Sequence, residues 1–278
     1  MFSHRRTAVL AACLSLSAAM VAQEPTLEAD VAYRPGSMPS GDEPGLCMLD
    51  LYLPAGGDGY PSILWLHGGG LTGGSRKTAV SRRVAERLAS AGIAVAMADY
   101  RLNPAVSYPA YIEDTAAAFA WLRNNIASRG GNPGKVFIGG HSAGAYLALM
   151  VALDDRRLEA AGLDDEVLAG VVALSGQSLT HLTVRAERNH GERIVVDDAA
   201  PLFHAARRPF PFLILFAGRD LPMRPEENRL LASALRAAGC ERVIERSFED
   251  RDHGTIVSWM DRPDDAVAEE VIRFIHSP

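Results

Sequence analysis

A serine flanked by glycines is the residue of this sequence best suited to chemistry. The segment Gly140–Gly144 reads Gly-His-Ser-Ala-Gly, and it separates the apolar run Val136–Ile138 from an apolar helical pattern that continues to about Leu153. A serine on so sharp a strand-to-helix turn is strained and exposed, and glycines two residues away remove side chains that would clash with the turn. Serine is also a good helix N-cap, so the pattern alone has a structural explanation. Its position between a strand and a helix favours Ser142 as a nucleophile.

A second glycine-rich segment can supply hydrogen-bond donors to a reacting carbonyl group. His67–Gly70 reads His-Gly-Gly-Gly and follows the apolar run Ile63–Leu66. Consecutive glycines let the backbone approach a substrate closely, and free N–H groups at a helix N-terminus favour developing negative charge. We therefore predict that the backbone N–H groups of Gly69, Gly70 and Ala143 form an oxyanion hole, and that the histidine of this segment holds the loop. The alternative is a flexible turn, because further glycines follow nearby.

These two motifs together resemble a known family. His67–Gly70 upstream of Gly140–Gly144, with Asp-Tyr-Arg-Leu at Asp99–Leu102 between them, resembles the α/β-hydrolase-fold esterases of the hormone-sensitive-lipase-like and feruloyl-esterase-like (BD-FAE-type) groups. The segment Leu49–Pro54 is similar to the second group, whereas His141 stands where many hormone-sensitive-lipase-like members have aspartate. The resemblance covers nearly the whole chain after its N-terminal extension. It implies an α/β-hydrolase fold and a catalytic triad in the order serine, acid, histidine.

That order directs the search for an acid and a base to the C-terminal third of the chain. Asp220 follows the apolar run Phe212–Phe216, and His253 follows the run Val243–Phe248. Parallel strands present their carboxyl ends at one edge of a sheet, where a carboxylate can accept from an imidazole N–H and fix its tautomer. We predict that His253 is the base and that Asp220 orients it. Two other carboxylates compete for the acid role, but they lie so close to the histidine in sequence that we expect them to shape its loop. They are Asp250 and Asp252.

The rest of the sequence indicates the elements that must position these residues. Short apolar runs predict strands that are covered on both faces, and segments with helical spacing lie between them. This alternation over about 230 residues predicts a single α/β domain with a mostly parallel central sheet and helices on both faces. The predicted strands are Leu49–Leu53, Ile63–Leu66, Ile93–Ala98, Val136–Ile138, Val171–Leu174, Phe212–Phe216 and Val243–Phe248. The predicted helices carry apolar stripes through Val80, Val84 and Leu88, through Ile112, Phe119 and Ile126, through Leu231, Leu235 and Ala238, and through Val267, Val271 and Phe274.

The first 22 residues are predicted to be a secretory signal peptide. Two arginines precede the apolar stretch Ala8–Ala22, which is too short for a membrane span. Leu10–Cys13 resembles a bacterial lipoprotein box, but the apolar core continues past its cysteine, which argues against lipid anchoring. We therefore expect a secreted or periplasmic protein without stable membrane insertion. Residues 23–45 are expected to be an N-terminal extension that runs as a surface connection, and residues 46–278 to be the catalytic domain.

Composition argues against several other classes of function. The 278 residues carry a formal net charge of -6, and the 28 basic residues are almost all scattered arginines, which argues against a nucleic-acid partner. The chain has no Cys-x-x-Cys or His-Glu-x-x-His motif, and the first predicted strand is not followed by Gly-x-Gly-x-x-Gly, so neither a metal nor another cofactor is predicted. Cys47 and Cys240 can pair in an oxidising compartment or remain two buried thiols. The oligomeric state stays open.

The sequence thus predicts a serine hydrolase that cleaves carboxylic esters by two-step acyl transfer. The resemblance implies short-chain or carbohydrate-linked ester substrates, the latter carrying acetyl or feruloyl groups. The segment Gln177–Ala200 is expected to decide among them. Arylformamidases and peptidases can use the same constellation, and a non-catalytic binding protein can keep the same fold. Because every expected triad position is filled, the sequence favours an enzyme.

Overall fold

The computed structural model describes residues 24–34, 47–163 and 168–277 of the chain. The predicted signal peptide, residues 1–22, lies outside these described residues. Within them, the chain forms one eight-stranded sheet that is covered by helices on both faces. None of the helices in the described ranges has both the length and the apolar character needed to cross a lipid bilayer.

The strands of the sheet are, in chain order, β1 Thr26–Ala32, β2 Met48–Leu53, β3 Tyr60–Leu66, β4 Ala94–Ala98, β5 Gly131–His141, β6 Gly170–Leu174, β7 Phe212–Arg219 and β8 Val243–Asp252. Their order across the sheet is β1-β2-β4-β3-β5-β6-β7-β8. The strand β2 is antiparallel to both of its neighbours, and every pair from β4 to β8 is parallel. This arrangement confirms the predicted fold class, and it brings the carboxyl ends of β3, β5, β7 and β8 to one edge.

The strand β1 was not predicted from the sequence. It pairs antiparallel with β2, with Thr26 opposite Leu53 and Ala32 opposite Met48. The expectation that residues 23–45 run as a surface connection is therefore wrong for this stretch. The strand lies at the edge of the sheet and is largely exposed, so it lacks the continuous apolar run that marks a strand buried on both faces.

Helices form most of the connections between the strands. The helix α1 (Ala79–Ser90) begins after Thr78, whose hydroxyl accepts from the N–H of Ser81, and the chain turns away at Gly92 with a φ of 83°. The helix α8 (Ala266–His276) begins after Asp265, whose carboxylate accepts from two N–H groups of the first turn. The helices are α1 Ala79–Ser90, α2 Ala110–Asn125, α3 Ala143–Leu153, α4 Asp155–Ala160, α5 Leu182–Glu187, α6 Arg224–Ala237, α7 Thr255–Ser258 and α8 Ala266–His276.

Alternate side chains of the central strands pack against helices on opposite faces of the sheet. Leu64 and Leu66 of β3 lie in the apolar cluster that contains α2, α3 and α6, whereas Ile63 and Trp65 lie in the cluster that contains α1 and α8. Every residue of α3 is buried, which explains why its sequence is continuously apolar rather than striped. The nucleophile therefore stands at the start of a helix that is enclosed by the core.

The two cysteines of the described residues are buried free thiols. Cys47 immediately precedes β2, and Cys240 follows α6. Burial raises the pKa of the Cys47 thiol above its ordinary value. Of the two alternatives that the sequence leaves open, the structure thus has the unpaired one.

Candidate active site

Ser142 lies on the turn that joins β5 to α3. Its backbone adopts φ 56° and ψ -117°, a strained conformation for a residue with a side chain, and its N–H donates to the Leu174 carbonyl at 2.9 Å. A Cβ atom at Gly140 would lie 2.5 Å from the Leu66 carbonyl oxygen, and one at Gly144 would lie 2.1 Å from the same oxygen. Both positions therefore require glycine, which explains the spacing of the motif.

Two further side chains, from the ends of other strands, converge on this serine. Nε2 of His253 lies 2.9 Å from Oγ of Ser142, and Nδ1 of His253 lies 2.6 Å from Oδ1 of Asp220. A carboxylate can only accept, so Nδ1 carries the proton and Nε2 accepts from the serine hydroxyl. The Asp220 side chain is fully buried, while that of His253 is 22% exposed. The structure thus brings together the three residues that the sequence suggests as a triad, with the base open to a substrate.

Asp220 is held as an anion by donors around both of its oxygens. Oδ1 accepts from the Leu221 N–H at 2.7 Å in addition to His253, and Oδ2 accepts from the Ser175 hydroxyl and from the Ala217 N–H at 3.3 Å. Burial alone raises the pKa of Asp220, but the hydrogen bonds from His253 and Ser175 outweigh burial and hold the pKa below its ordinary value. The carboxylate is therefore ionised at neutral pH and can stabilise a positively charged imidazole.

The two competing aspartates make contacts within the loop after β8 instead. Asp250 pairs with Arg251, and Oδ1 of Asp252 accepts from the N–H groups of Gly254 at 3.0 Å and Thr255 at 2.8 Å. These hydrogen bonds turn the chain between β8 and α7. Both carboxylates thus shape the loop that carries the base.

The glycine loop, His67–Gly70, directly follows β3. The carbonyl groups of Gly68 and Gly69 point toward other atoms of this part of the chain. The Gly68 carbonyl lies 2.7 Å from Nδ1 of His67, and the Gly69 carbonyl accepts from the N–H of Gly73 at 3.0 Å. The C=O and N–H of one trans peptide point in opposite directions. The N–H groups of Gly69 and Gly70 therefore face away from these contacts.

The predicted oxyanion donors lie on the two segments next to the nucleophile. A Cβ atom at Gly68 would lie 3.3 Å from Cβ of Ser142, so the glycine loop and the serine are adjacent. Gly69 and Gly70 have φ values of 126° and 65°, which other residues adopt only with strain. Ala143 is the first residue of α3, where an N–H group has no acceptor within its helix.

A buried ionic network supports the glycine loop. The rings of His67 and Tyr100 stack with centroids 4.5 Å apart, and the Tyr100 hydroxyl donates to the His67 carbonyl at 2.8 Å. Oδ1 of Asp99 lies 3.3 Å from Nε2 of His67 and accepts from the Arg76 N–H at 2.6 Å. Burial raises the pKa of Asp99, but its contacts with His67 and Arg76 outweigh burial and lower it. The Asp-Tyr pair of the sequence motif therefore positions the histidine that begins the loop.

His141 has a role that sequence reasoning missed. Its Nε2 lies 2.8 Å from the carbonyl oxygen of His253, and the two ring centroids are 4.8 Å apart. Because a carbonyl only accepts, Nε2 of His141 is the donor. Burial, followed by the charge of His253, lowers the pKa of His141 to about 3, so the ring is neutral. His141 thus holds the backbone of the base, and no spacing in the sequence signals this contact.

A cavity of about 950 Å³ opens at Ser142. Its lining includes Trp65, the first turns of α1, the glycine loop and part of the segment 177–200, to which α5 belongs. Thr183 of α5 donates through its hydroxyl to the Gly70 carbonyl at 2.5 Å, so this segment contacts the glycine loop directly. Among the residues that the structure describes, no group of side chains has the arrangement of a metal site.

The chain is similar in sequence and fold to known esterases. Residues 49–173 match the BD-FAE family. Esterase LipQ of Mycobacterium tuberculosis is 30% identical over 248 residues, which cover 81% of this chain and 56% of LipQ. A hyperthermophilic esterase from the archaeon Pyrobaculum calidifontis superposes with a TM-score of 0.69 at 25% identity, covering 91% of this chain and 87% of that one. A truncated carbohydrate esterase from gut microbiota superposes with a TM-score of 0.73 at 19% identity, covering 92% and 97%.

The chain spans about half the length of the curated relatives that it matches. It covers 53% of the esterase LipC of Mycobacterium tuberculosis and 56% of LipQ. The likeness establishes the fold and a relationship in sequence to these esterases.

Proposed function

We propose that the chain hydrolyses carboxylic esters through an acyl-enzyme on Ser142, because residues 49–173 match the BD-FAE family and esterases are among its relatives. The observation that carries the proposal is the continuous hydrogen-bond path from Asp220 through His253 to the Ser142 hydroxyl. A nucleophile, a base within reach of it and an acid that orients the base are the parts that acyl transfer needs.

Acylation begins when Nε2 of His253 takes the proton of the Ser142 hydroxyl as Oγ attacks the ester carbonyl carbon. The imidazolium that forms is stabilised by the ionised Asp220, which stays unprotonated. The C–O bond to the alcohol then breaks, and the alcohol leaves with the proton from Nε2. Water repeats the sequence on the acyl-enzyme, giving the carboxylic acid and restoring the serine hydroxyl.

The negative charge on the carbonyl oxygen of the tetrahedral intermediate rests on backbone N–H groups. Gly69 and Gly70 supply two donors from the glycine loop, and Ala143 supplies a third from the positive end of α3. One such donor typically lowers the barrier by about 3 kcal/mol. The donors stand ready before the substrate binds, because Asp99 and Tyr100 hold the loop through His67.

The proposed substrates are short-chain esters or acetyl and feruloyl esters of carbohydrates. The BD-FAE match supports the acetyl and feruloyl esters of carbohydrates, and a carbohydrate esterase shares the fold. The cavity of about 950 Å³ is large enough for an ester that carries a sugar or an aromatic ring, since small-molecule sites typically measure about 300–1,000 Å³. A panel that varies acyl length and sugar alcohol, with kcat/KM as the readout, tests this choice.

The hydrolytic function is tested with para-nitrophenyl acetate and with a fluorophosphonate that labels activated serines. We expect the purified chain to release nitrophenolate and to be labelled on Ser142. Ser142→Ala is expected to abolish turnover and labelling while its melting temperature stays close to that of the parent chain. Turnover that persists in this variant, or labelling at another serine, contradicts the proposal.

We also propose that the protein is exported, because its predicted signal peptide has a basic start and an apolar core. Expression in a bacterium followed by N-terminal sequencing of the secreted or periplasmic protein tests this. Cleavage is expected after Ala19 or Ala22. An intact N-terminus on protein found only in the cytoplasm refutes export without affecting the proposed reaction.

A further inference from the structure

Arg224, at the start of α6, is the only arginine or lysine among the described residues that line the catalytic cavity. The residue is 6% exposed, so its charge is almost completely removed from bulk water. Burying a charge costs free energy unless a counterion or hydrogen bonds compensate for it. The contacts of this side chain therefore show whether the protein itself compensates its charge.

The guanidinium group of Arg224 has no ion-pair partner among the described residues. Nη1 donates to the Ser175 carbonyl, whereas Nε is buried and finds no hydrogen-bond partner in the same part of the chain. No carboxylate within the described ranges forms an ion pair with it. Burial lowers the pKa of Arg224 below its ordinary value, although the charges of Glu227 and Asp220 oppose this shift. The oxygens of Asp220 already accept from four donors, and Glu227 accepts from the N–H groups of Ser178 and Leu179.

Among the buried arginines of the described residues, this lack of an ion pair is specific to Arg224. Arg76, Arg208 and Arg251 are about as deeply buried. Each of them, however, forms an ion pair with an aspartate. None of these three lines the catalytic cavity.

Arg224 lies close to the reacting serine in the network of contacts. The carbonyl that accepts from it belongs to Ser175, which directly follows Leu174, the residue whose carbonyl accepts from the Ser142 N–H. The Ser175 hydroxyl in turn donates to Asp220. A group bound by the guanidinium would therefore lie in the same cavity as Ser142 and His253.

The neighbouring wall adds neutral hydrogen-bond donors. Nδ1 of His181 accepts from the Thr183 N–H at 3.2 Å, so the ring proton is on Nε2. Burial first, and then the positive charge of Arg224, lowers the pKa of His181 to about 3, so the ring stays neutral. Gln177 lines the same cavity and is 6% exposed. Glu187 is the acidic residue of the cavity lining. Its carboxylate already accepts from the Asn103 side chain and from the Tyr108 N–H.

We propose that Arg224 binds a carboxylate carried by the ester substrate, so that the enzyme prefers esters with a free acid group close to the bond that is cleaved. Such a group would supply the counterion that the described residues do not provide. The carboxylate belongs either to the acyl part or to the alcohol part of the ester. This inference rests on the proposed ester hydrolysis and names its substrate class.

The test compares pairs of esters that differ only by a carboxylate and its neutral primary amide. The acyl arm uses the monomethyl ester of glutaric acid and its amide counterpart. The alcohol arm uses para-acetoxybenzoate and para-acetoxybenzamide. At about pH 8 we expect kcat/KM for the carboxylate of one pair to exceed that of the amide by about tenfold or more, as a charge-assisted hydrogen bond provides. Ratios near one in both arms overturn the proposal.

Variants assign the preference to the side chain. Arg224→Gln is expected to bring the carboxylate-to-amide ratio close to one, mainly by raising KM for the carboxylate, and Arg224→Lys is expected to give an intermediate ratio. Arg229→Gln, on an exposed position of the same helix, should leave the ratio unchanged. A ratio that persists in Arg224→Gln shows that the arginine is structural. If that variant does not fold, a ratio in Arg224→Lys equal to that of the parent chain overturns the proposal in the same way.

A binding measurement separates this inference from the proposed reaction. Calorimetric titration of Ser142→Ala with both members of the preferred pair needs no turnover. Tighter binding of the carboxylate supports the site even if the esters are not cleaved. Absence of turnover and of Ser142 labelling in the parent chain contradicts the hydrolase, whereas turnover of the amide esters without any carboxylate preference contradicts only the role of Arg224.

Discussion

Mild acid should destabilise this fold through His181, and replacing that residue should remove the effect. His181 is 3% exposed and caps the N-terminus of α5, where Nδ1 accepts from the Thr183 N–H. Burial, followed by the positive charges of Arg224 and Arg185, lowers its pKa from 6.5 to about 3. The folded chain therefore keeps this imidazole neutral at a pH where the unfolded chain protonates it.

The size of the effect follows from this difference in pKa. Between about pH 6.5 and pH 3 the unfolded state binds a proton that the folded state does not, so stability rises with pH in this window and falls on acidification. From about pH 8 to pH 5, one such histidine lowers the free energy of unfolding by about 2 kcal/mol. That is a substantial part of the roughly 5–15 kcal/mol that typically stabilises a folded domain.

Urea unfolding at about pH 8 and pH 5 measures this quantity. In His181→Asn the amide oxygen can still cap α5 but does not titrate, so the loss of stability between the two pH values should shrink by about 2 kcal/mol relative to the parent chain. His181→Ala should shrink it equally while being about 1 kcal/mol less stable than His181→Asn at both pH values, because the cap is lost. His141 titrates in the same direction in all three chains, so only the difference between chains is informative. Equal pH dependence in the parent chain and in His181→Asn refutes the reasoning.

Two further substitutions test the turn and the acid. Gly144→Ala would place a methyl group 2.1 Å from the Leu66 carbonyl oxygen; we expect a loss of about 3 kcal/mol or more in urea unfolding, and a loss below 1 kcal/mol would show that the turn can relax. Asp220→Asn should lower kcat for para-nitrophenyl acetate by about 10⁴-fold, because an amide favours the wrong tautomer of His253. Asp250→Asn is the control, and a loss as large in that variant would reassign the acid.

The buried part of the fold was predictable because its sequence signals are physical requirements of burial. The inner strands β4, β6 and β7 contain continuous apolar runs, since helices cover both of their faces. The positions of Asp220 and His253 follow from the same rule, because the carboxyl ends of neighbouring parallel strands share one edge. Pattern and topology together therefore suffice to locate side chains that are 111 residues apart, as His253 and Ser142 are.

Contacts to backbone atoms were not predictable in this way. His141 donates to the carbonyl of His253, and every residue type has the same carbonyl, so no residue type marks the acceptor. The edge strand β1 has an exposed, irregular pattern and is held by pairing with β2 rather than by burial. The Asp99–Tyr100 pair was recognisable as part of a motif, but only the structure shows that it holds His67.

The reaction and the substrate choice depend on parts of the chain that are restrained differently. Ser142, Asp220 and His253 stand at the ends of strands whose register is set by backbone pairing, and the glycine loop is held by Asp99. The segment 177–200 reaches the cavity on the six-residue helix α5 and carries no family motif. A change in this segment, or at the buried arginine beside it, can therefore alter which ester binds while the hydrogen bonds of the triad remain in place. This separation explains why the sequence indicates the reaction more closely than the substrate, and why substrate pairs that differ by a single charge are the sharper experiment.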